Sequence, residues 1–299
     1  MAVKTVQAVI NGVTTTLTYN STSKKYEATI TAPATSSYNN NDGHYFPVTI
    51  KATDEAGNVT TKNDTDATLG SSLQLHVKEK TAPAITITYP TASALIINNK
   101  PAIRWKVTDN DSGVNPDTIG ITIDSGSKVT GSAITKTAIT GGYDCTYTPT
   151  TALADGSHTI KIDAADNDGN AATQKSVTFK IDTVPPTLSV TAPVNGLITN
   201  KAACTVTGTT NDITSSPVTV TVKLNSGSAE AVTVGADGSF SKALTLVSGG
   251  NTITVVATDS AGKSTTVTRT VTLDTVAPTI KAVTLTPNPV DAGKTYVIS

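Results

Sequence analysis

The sequence lacks a dominant charge and any long apolar segment. It has 22 Lys and Arg against 23 Asp and Glu, for a formal net charge of −1. A chain without a strong positive field does not hold a polyanion, so we expect no nucleic-acid partner. Its longest apolar runs, such as residues 94–97, are far shorter than the roughly 20 residues that cross a bilayer. We therefore expect no membrane insertion.

Cysteine is also scarce, with Cys145 and Cys204 as the two examples. They fall in different predicted domains, so we expect no structural disulfide, and their number does not indicate a redox compartment. The three histidines, His44, His76 and His158, lie in separate stretches. This spacing does not predict a histidine cluster that could bind a metal.

Catalytic motifs are missing as well. Asp155, Ser157 and His158 contain the residue types of a hydrolytic triad. A triad needs side chains from separate elements and an oxyanion hole, whereas these residues fit one hairpin turn. The chain contains no glycine-rich phosphate loop and no Cys-x-x-Cys pair. We therefore predict that it is not an enzyme.

Internal repeats are the strongest feature that is present. The sequence Ala-Thr-Asp-Glu-Ala-Gly-Asn at 52–58 returns in altered form at 164–170 and 257–263. A proline-containing segment follows each copy, and proline, which cannot donate to a strand ladder, marks these segments as connectors. The spacing predicts domains at residues 1–80, 81–184 and 185–276, followed by an incomplete repeat at 277–299.

Within each repeat, apolar and polar residues alternate with a period of two. Residues 158–164 and 266–273 show this pattern, and valine and threonine dominate the runs. Such runs predict half-buried strands, and we find no pattern typical of a helix. Short strands separated by Gly, Asn and Asp turns are typical of antiparallel sandwiches. We expect the single tryptophan, Trp105, to fill one of the cores.

Together, the Asp-x-Ala-Gly-Asn hairpin, the Val-Thr-Leu-Asp strand at 271–274 and the Thr-Val-Ala-Pro connector at 275–278 resemble bacterial immunoglobulin-like (Big-type) repeats. The resemblance covers residues 81–278 well and the first repeat only from Phe46 onward. It implies an all-β fold of tandem immunoglobulin-like β-sandwiches. Residues 277–299 are then the start of a fourth repeat, either cut from a longer parent or paired with strands of another chain.

The resemblance implies a function without catalysis, because such repeats occur in bacteriophage tail, neck and capsid-associated proteins and in bacterial surface adhesins. The N-terminal residues contain no signal-peptide pattern, so we expect a virion structural protein that assists attachment to a host surface. Its partners would be other virion proteins or copies of itself, and a host-surface glycan or protein. The alternative is a spacer or stalk fragment of an exported adhesin at the bacterial cell surface.

The resemblance also implies calcium near the domain junctions, where aspartates follow several strands. The candidate ligands are Asp109, Asp111, Asp163, Asp166, Asp168 and Asp182. Closely spaced carboxylates suit calcium, which takes six to eight oxygen ligands, although the spacing differs from that of an EF-hand. The alternative is that these side chains only accept hydrogen bonds from loop amides in Asx-turns.

An Asn- and Ser-rich loop at 36–45 contains the residues most suited to contact a ligand. Tyr38, His44 and Tyr45 lie in it, and exposed aromatic rings can hold sugar rings or protein partners. We therefore predict these three as contact residues. The alternative is that Tyr45 only begins a buried strand.

Overall fold

The computed structural model describes residues 2–299, which are 50% strand and 2% helix. The predicted all-β class is confirmed. The chain divides into two compact units, Met1–Asp182 and Thr183–Ser299. Within residues 2–299, no helix has the length and apolar character needed to cross a membrane.

The first part of unit one is a single antiparallel sheet. Its strands run in the order β3-β2-β1-β4-β5, and β6 also pairs with β4. A 3-10 turn at Gly70–Leu73 precedes β6. The strands are β1 (Val3–Ile10), β2 (Val13–Asn20), β3 (Lys25–Glu27), β4 (Phe46–Asp54), β5 (Val59–Lys62) and β6 (Gln74–Leu75).

The second part of unit one is a sandwich of two four-stranded sheets, ordered β10-β13-β14-β8 and β11-β12-β9-β7. Strand β8 joins β14 in parallel. A 3-10 turn at Gly131–Ala133 precedes β11. The strands are β7 (Ala84–Tyr89), β8 (Leu95–Ile96), β9 (Ile103–Thr108), β10 (Val114–Ile123), β11 (Thr135–Ile139), β12 (Gly142–Tyr147), β13 (Gly156–Asp166) and β14 (Lys175–Ile181).

Apolar side chains at alternate strand positions fill the core of this sandwich. In β9, Ile103, Trp105 and Val107 are fully buried, while the residues between them are exposed. Trp105 packs in one cluster with Phe179 and Ile160 from the facing sheet. Trp105 therefore lies in the core of the second repeat, as predicted.

Unit two is a second sandwich, with sheets ordered β15-β17-β20 and β16-β22-β21-β18-β19. Strand β16 joins β22 in parallel. Beyond the sandwich, two short exposed strands form a hairpin. The strands are β15 (Thr187–Ala192), β16 (Leu197–Thr199), β17 (Ala203–Asn211), β18 (Thr219–Leu224), β19 (Glu230–Val232), β20 (Ser239–Thr245), β21 (Gly249–Thr258), β22 (Ser264–Leu273), β23 (Leu285–Thr286) and β24 (Val297–Ile298).

Each copy of the repeated motif forms a hairpin, as predicted. The hairpins join β4 to β5, β13 to β14 and β21 to β22. The expected sandwich for residues 1–80 differs from the structure, because all six strands of residues 2–80 belong to one sheet. The boundaries at 80, 184 and 276, and the assignment of residues 277–299 to a fourth repeat, stay predictions.

Candidate cation site

A carboxylate organises the hairpin between β13 and β14. Asp166 is 1% exposed, and its Oδ1 accepts the N–H of Asn170 at 2.7 Å while its Oδ2 accepts the Asn170 side-chain amide at 2.6 Å. Gly169 has φ +94°, a conformation that costs glycine little. The repeated Asp-x-x-Gly-Asn sequence therefore places a buried carboxylate at the end of the strand.

A second carboxylate organises the loop after β9. Asp109 is buried, and its Oδ1 accepts the N–H groups of Asp111 at 3.0 Å and Gly113 at 2.8 Å. Such bonds are typical of Asx-turns. They account for one oxygen of Asp109, and its Oδ2 accepts no hydrogen bond from residues 2–299.

Glu79, in the connector before β7, supplies a third carboxylate. Its Oε1 accepts the N–H of Ser112 at 2.8 Å. Its own N–H donates to Oδ2 of Asp168 at 3.0 Å, and its carbonyl accepts the amide of Asn170 at 3.2 Å. These three bonds fix the connector against both loops of the sandwich.

The carboxylates of Glu79, Asp109 and Asp166 converge, with one oxygen from each lying within 4.8 Å of the others. Among the described residues, no Lys, Arg or His nitrogen lies within 4.0 Å of this group. Three like charges at this separation repel one another, and the repulsion grows as water is excluded. A bound cation would offset it.

The donor set fits a hard divalent cation. All three side chains offer oxygen, the ligand type that calcium prefers. The side-chain hydroxyl of Ser112 is fully buried and makes no hydrogen bond within the described part of the chain. The backbone N–H of the same residue donates to Glu79, so this hydroxyl lies beside the acidic group. Glu79, Asp109 and Asp166 would hold the ion, which would neutralise the cluster and tie the connector to the sandwich.

The predicted ligands divide into those that lie in this group and those that do not. Asp109 and Asp166 lie in it. Asp111 instead accepts the N–H of Ser36 with both carboxylate oxygens, at 2.9 and 3.1 Å. Asp168 contacts the backbone of Glu79 and not the group itself.

Two further candidates lie elsewhere in unit one. Asp163 faces Lys128 at 3.7 Å and accepts the side-chain amide of Gln174 at 2.8 Å. Asp182 ends the unit and is buried, and its N–H donates to the carbonyl of Ile96 at 2.9 Å. Sequence reasoning missed Glu79. The available signal was an acidic residue at the end of the first repeat, immediately before the connector.

Unit two repeats part of this arrangement. The carboxylates of Asp212 and Asp259 approach within 4.8 Å. Asp212 accepts the N–H groups of Thr214 and Ser215, and Asp259 accepts that of Lys263 with Oδ1. Oδ2 of Asp259 is buried and has no hydrogen-bond partner in the described chain. The carboxylate of Asp259 therefore accepts the N–H of the residue four positions later, as the carboxylate of Asp166 does, although the hairpin residues between differ.

The predicted contact loop forms a second candidate site. Tyr38 stacks on the exposed ring of His44, with centroids 4.1 Å apart and planes inclined by 8°. Both rings line a pocket of about 150 Å³ together with His76 and Asp168. Stacked, accessible rings suit contact with a sugar or a planar side chain.

Tyr45 does not join this pair. Its hydroxyl donates to Oδ2 of Asp64 at 3.0 Å, and this bond raises the pKa of Tyr45. Its ring meets His76 edge-on at 6.0 Å. The side chain is half-buried and ties the loop to the end of the first sheet.

Two segments of the chain match profiles of known families. Residues 91–183 match the family profile "Bacterial Ig-like domain", and residues 186–275 match "Glucodextranase, domain B". No curated protein sequence matches the chain.

Solved structures with similar folds include titin domains I67–I69, with 12% identity, a TM-score of 0.46, and coverage of 91% of this chain and 88% of that one. Clostridium thermocellum CbhA fibronectin(III)-like modules align with 19% identity, a TM-score of 0.32 and coverage of 64% and 94%. Sidekick-1 immunoglobulin domains 1–4 align with 11% identity, a TM-score of 0.37 and coverage of 91% and 68%. The two profile matches support tandem immunoglobulin-like domains in this chain, and residues 91–183 are similar to the bacterial Ig-like domain family.

Proposed function

We propose that this chain is a non-catalytic structural protein of a bacteriophage particle, displayed on the tail, neck or capsid, whose domains assist attachment to the host surface. Tandem immunoglobulin-like domains indicate a structural or adhesion-type module, and immunoglobulin-like domains are typically non-catalytic. The observation that carries the proposal is the series of such domains at residues 91–183 and 186–275. The contact surface would be the stacked pair Tyr38 and His44 beside its pocket.

The location can be tested directly. Antibodies against the purified chain are applied to phage particles and to cell-wall fractions from the culture that makes the protein, and labelling is imaged. Labelling of the particle supports the proposal. Labelling confined to the cell wall contradicts it and favours the adhesin stalk.

The contact surface has its own test, with bacterial surface polysaccharides and whole host cells as probes. Replacing Tyr38 by alanine should lower retention on the probe about tenfold or more, because a stacking ring is lost. Tyr26→Ala is the matched control, since Tyr26 lies on β3 and packs against Tyr19. Equal retention of all three proteins, with unchanged melting, would exclude this surface.

A further inference from the structure

The dipeptide Asn-Gly occurs twice in the chain, with closely similar neighbours. The first copy reads Ile-Asn-Gly-Val at 10–13, and the second reads Val-Asn-Gly-Leu at 194–197. In both copies the asparagine and the glycine are exposed. In an unfolded chain the two copies would therefore react alike, and a difference between them in the native protein would come from the local fold.

An asparagine that precedes glycine can react with its own backbone. The glycine nitrogen attacks Cγ of the asparagine side chain and closes a five-membered imide ring, and the side-chain nitrogen leaves as ammonia with the proton that the attacking nitrogen loses. Water then opens the ring at either carbonyl and leaves aspartate or isoaspartate. Glycine favours the attack because it has no Cβ beside the nitrogen, and asparagine is accordingly counted among the thermolabile residues.

The fold holds both reacting groups of the second copy. Oδ1 of Asn195 accepts the backbone N–H of Thr270 at 2.9 Å and the hydroxyl of the same residue at 3.2 Å. The N–H of Gly196 donates to the carbonyl of Thr270 at 2.8 Å. Ring closure at Asn195 would first break these three hydrogen bonds to β22.

The first copy forms the turn between β1 and β2, and its reacting groups are free. Asn11 and Gly12 have φ values of +47° and +77°, and positive values at both central residues are typical of the type I′ turns that favour Asn-Gly. Within residues 2–299, neither the side chain of Asn11 nor the N–H of Gly12 makes a hydrogen bond. The attacking nitrogen and the amide that it attacks are therefore both available.

Ring closure also requires the backbone at Asn11 to leave the turn conformation briefly. Exposed segments that few contacts hold open at low free energy. The turn lies at the end of the ladder, next to the pair of Ile10 with Val13, so its opening leaves the other pairs of β1 with β2 in place.

We propose that Asn11 is a site of spontaneous covalent modification, at which water replaces the side-chain amide and isoaspartate forms in the β1–β2 turn. The product carries a negative charge where the amide was neutral. Isoaspartate also adds one backbone carbon to a turn whose two residues match the twist of the flanking strands. The pair of Ile10 with Val13 should then separate, and this end of the hairpin loosens as the protein ages.

The test follows both copies in one sample. The full chain is incubated at mildly alkaline pH with and without denaturant and digested at intervals, and mass spectrometry quantifies amide loss at Asn11 and at Asn195. An isoaspartate-specific methyltransferase identifies the product. In the native protein, Asn11 should react at least about tenfold faster, because Asn195 must first lose its hydrogen bonds. In denaturant the two rates should become nearly equal.

Equal rates in the native protein, or a faster reaction at Asn195, would overturn the proposal. Asn11→Gly is the matched control, because Gly-Gly also suits a type I′ turn and removes the reacting side chain. After incubation, the amides beside the turn should exchange faster than before in the wild type and at an unchanged rate in Asn11→Gly. Unchanged exchange in wild-type protein that contains isoaspartate would contradict the loosening of the hairpin.

Discussion

At the scale of single residues, His158 couples stability to pH. It is 9% exposed, with Nδ1 2.8 Å from Oδ2 of Asp124 and Nε2 2.7 Å from the carbonyl of Ala154. Burial alone lowers the pKa of His158, but the bonds to Ala154 and Asp124 outweigh it and raise the pKa above 6.5. The charged ring can donate to both acceptors, whereas the neutral ring can donate to one.

A group whose pKa is raised by folding stabilises the native state below its unfolded pKa, and this contribution fades as pH rises through the folded pKa. His158→Gln should therefore cost about 1–3 kcal/mol at pH 5 and clearly less at pH 9. Urea unfolding of wild type and variant at both pH values measures this difference. A cost of His158→Gln that does not change with pH would refute the coupling.

The group of three carboxylates should make the stability of unit one depend on calcium. If calcium binds to Glu79, Asp109 and Asp166, calcium at about 100 times its dissociation constant should stabilise unit one by about 2.7 kcal/mol. Asp109→Asn should abolish most of that gain, and Asp163→Asn, outside the group, should retain it. Thermal unfolding with calcium and with a chelator decides the matter. If the wild-type protein unfolds at the same temperature with calcium and with the chelator, the calcium-site hypothesis is wrong.

Sequence alone indicated part of this site. Asp109 and Asp166 were predictable because each follows an alternating strand and precedes turn residues. Glu79 was not, because a connector has no periodicity that shows which way its side chains point. The place of Tyr45 also depends on a partner distant in sequence, Asp64, and no local pattern reports that contact.

At the scale of elements, close strand contacts limit what the sheets can accept. A Cβ at Gly208, in β17, would lie 2.2 Å from the carbonyl oxygen of Ser189 and 2.5 Å from the ring of Phe240. At Gly250, in β21, a Cβ would meet no heavy atom within 4 Å.

Gly208→Ala should therefore destabilise unit two by about 1–3 kcal/mol, the usual cost of overpacking. Gly250→Ala should change stability by less than about 1 kcal/mol. Chemical unfolding of the two variants tests this contrast. Equal effects would mean that β17 and β15 can separate freely at this point.

Period-two alternation predicted most strands, since it reports which side chains face a core. It does not report how many layers a sheet has, because one-layer and two-layer arrangements use the same alternation. The alternation in β1 and β2 is that of sandwich strands, and the structure shows that Val48, Ile50 and Ala52 are half-buried, whereas Val6 and Ala8 on the same face are buried.

At the scale of the whole molecule, the two sandwiches have separate cores. One cluster contains Trp105 and Phe179, the other contains Val255 and Phe240, and no buried residue belongs to both. Trp105→Ala should cost about 3–5 kcal/mol in the first sandwich and leave the second unchanged.

Calorimetry should accordingly resolve two transitions, of which Trp105→Ala lowers one. Val255→Ala should lower the other, by about 1.5–3 kcal/mol in stability. A single transition shifted by both substitutions would show that the cores unfold as one.

The parallel pairing of β8 with β14 and of β16 with β22 has a mechanical consequence. In each sandwich, the first strand of the pair lies near the domain's start and the second at its end. A pulling force applied through the two connectors would shear these ladders lengthwise, so that several bonds, such as Lys180 N–H to the Ala94 carbonyl, bear the load together. We expect such a domain to resist tension until the whole ladder ruptures.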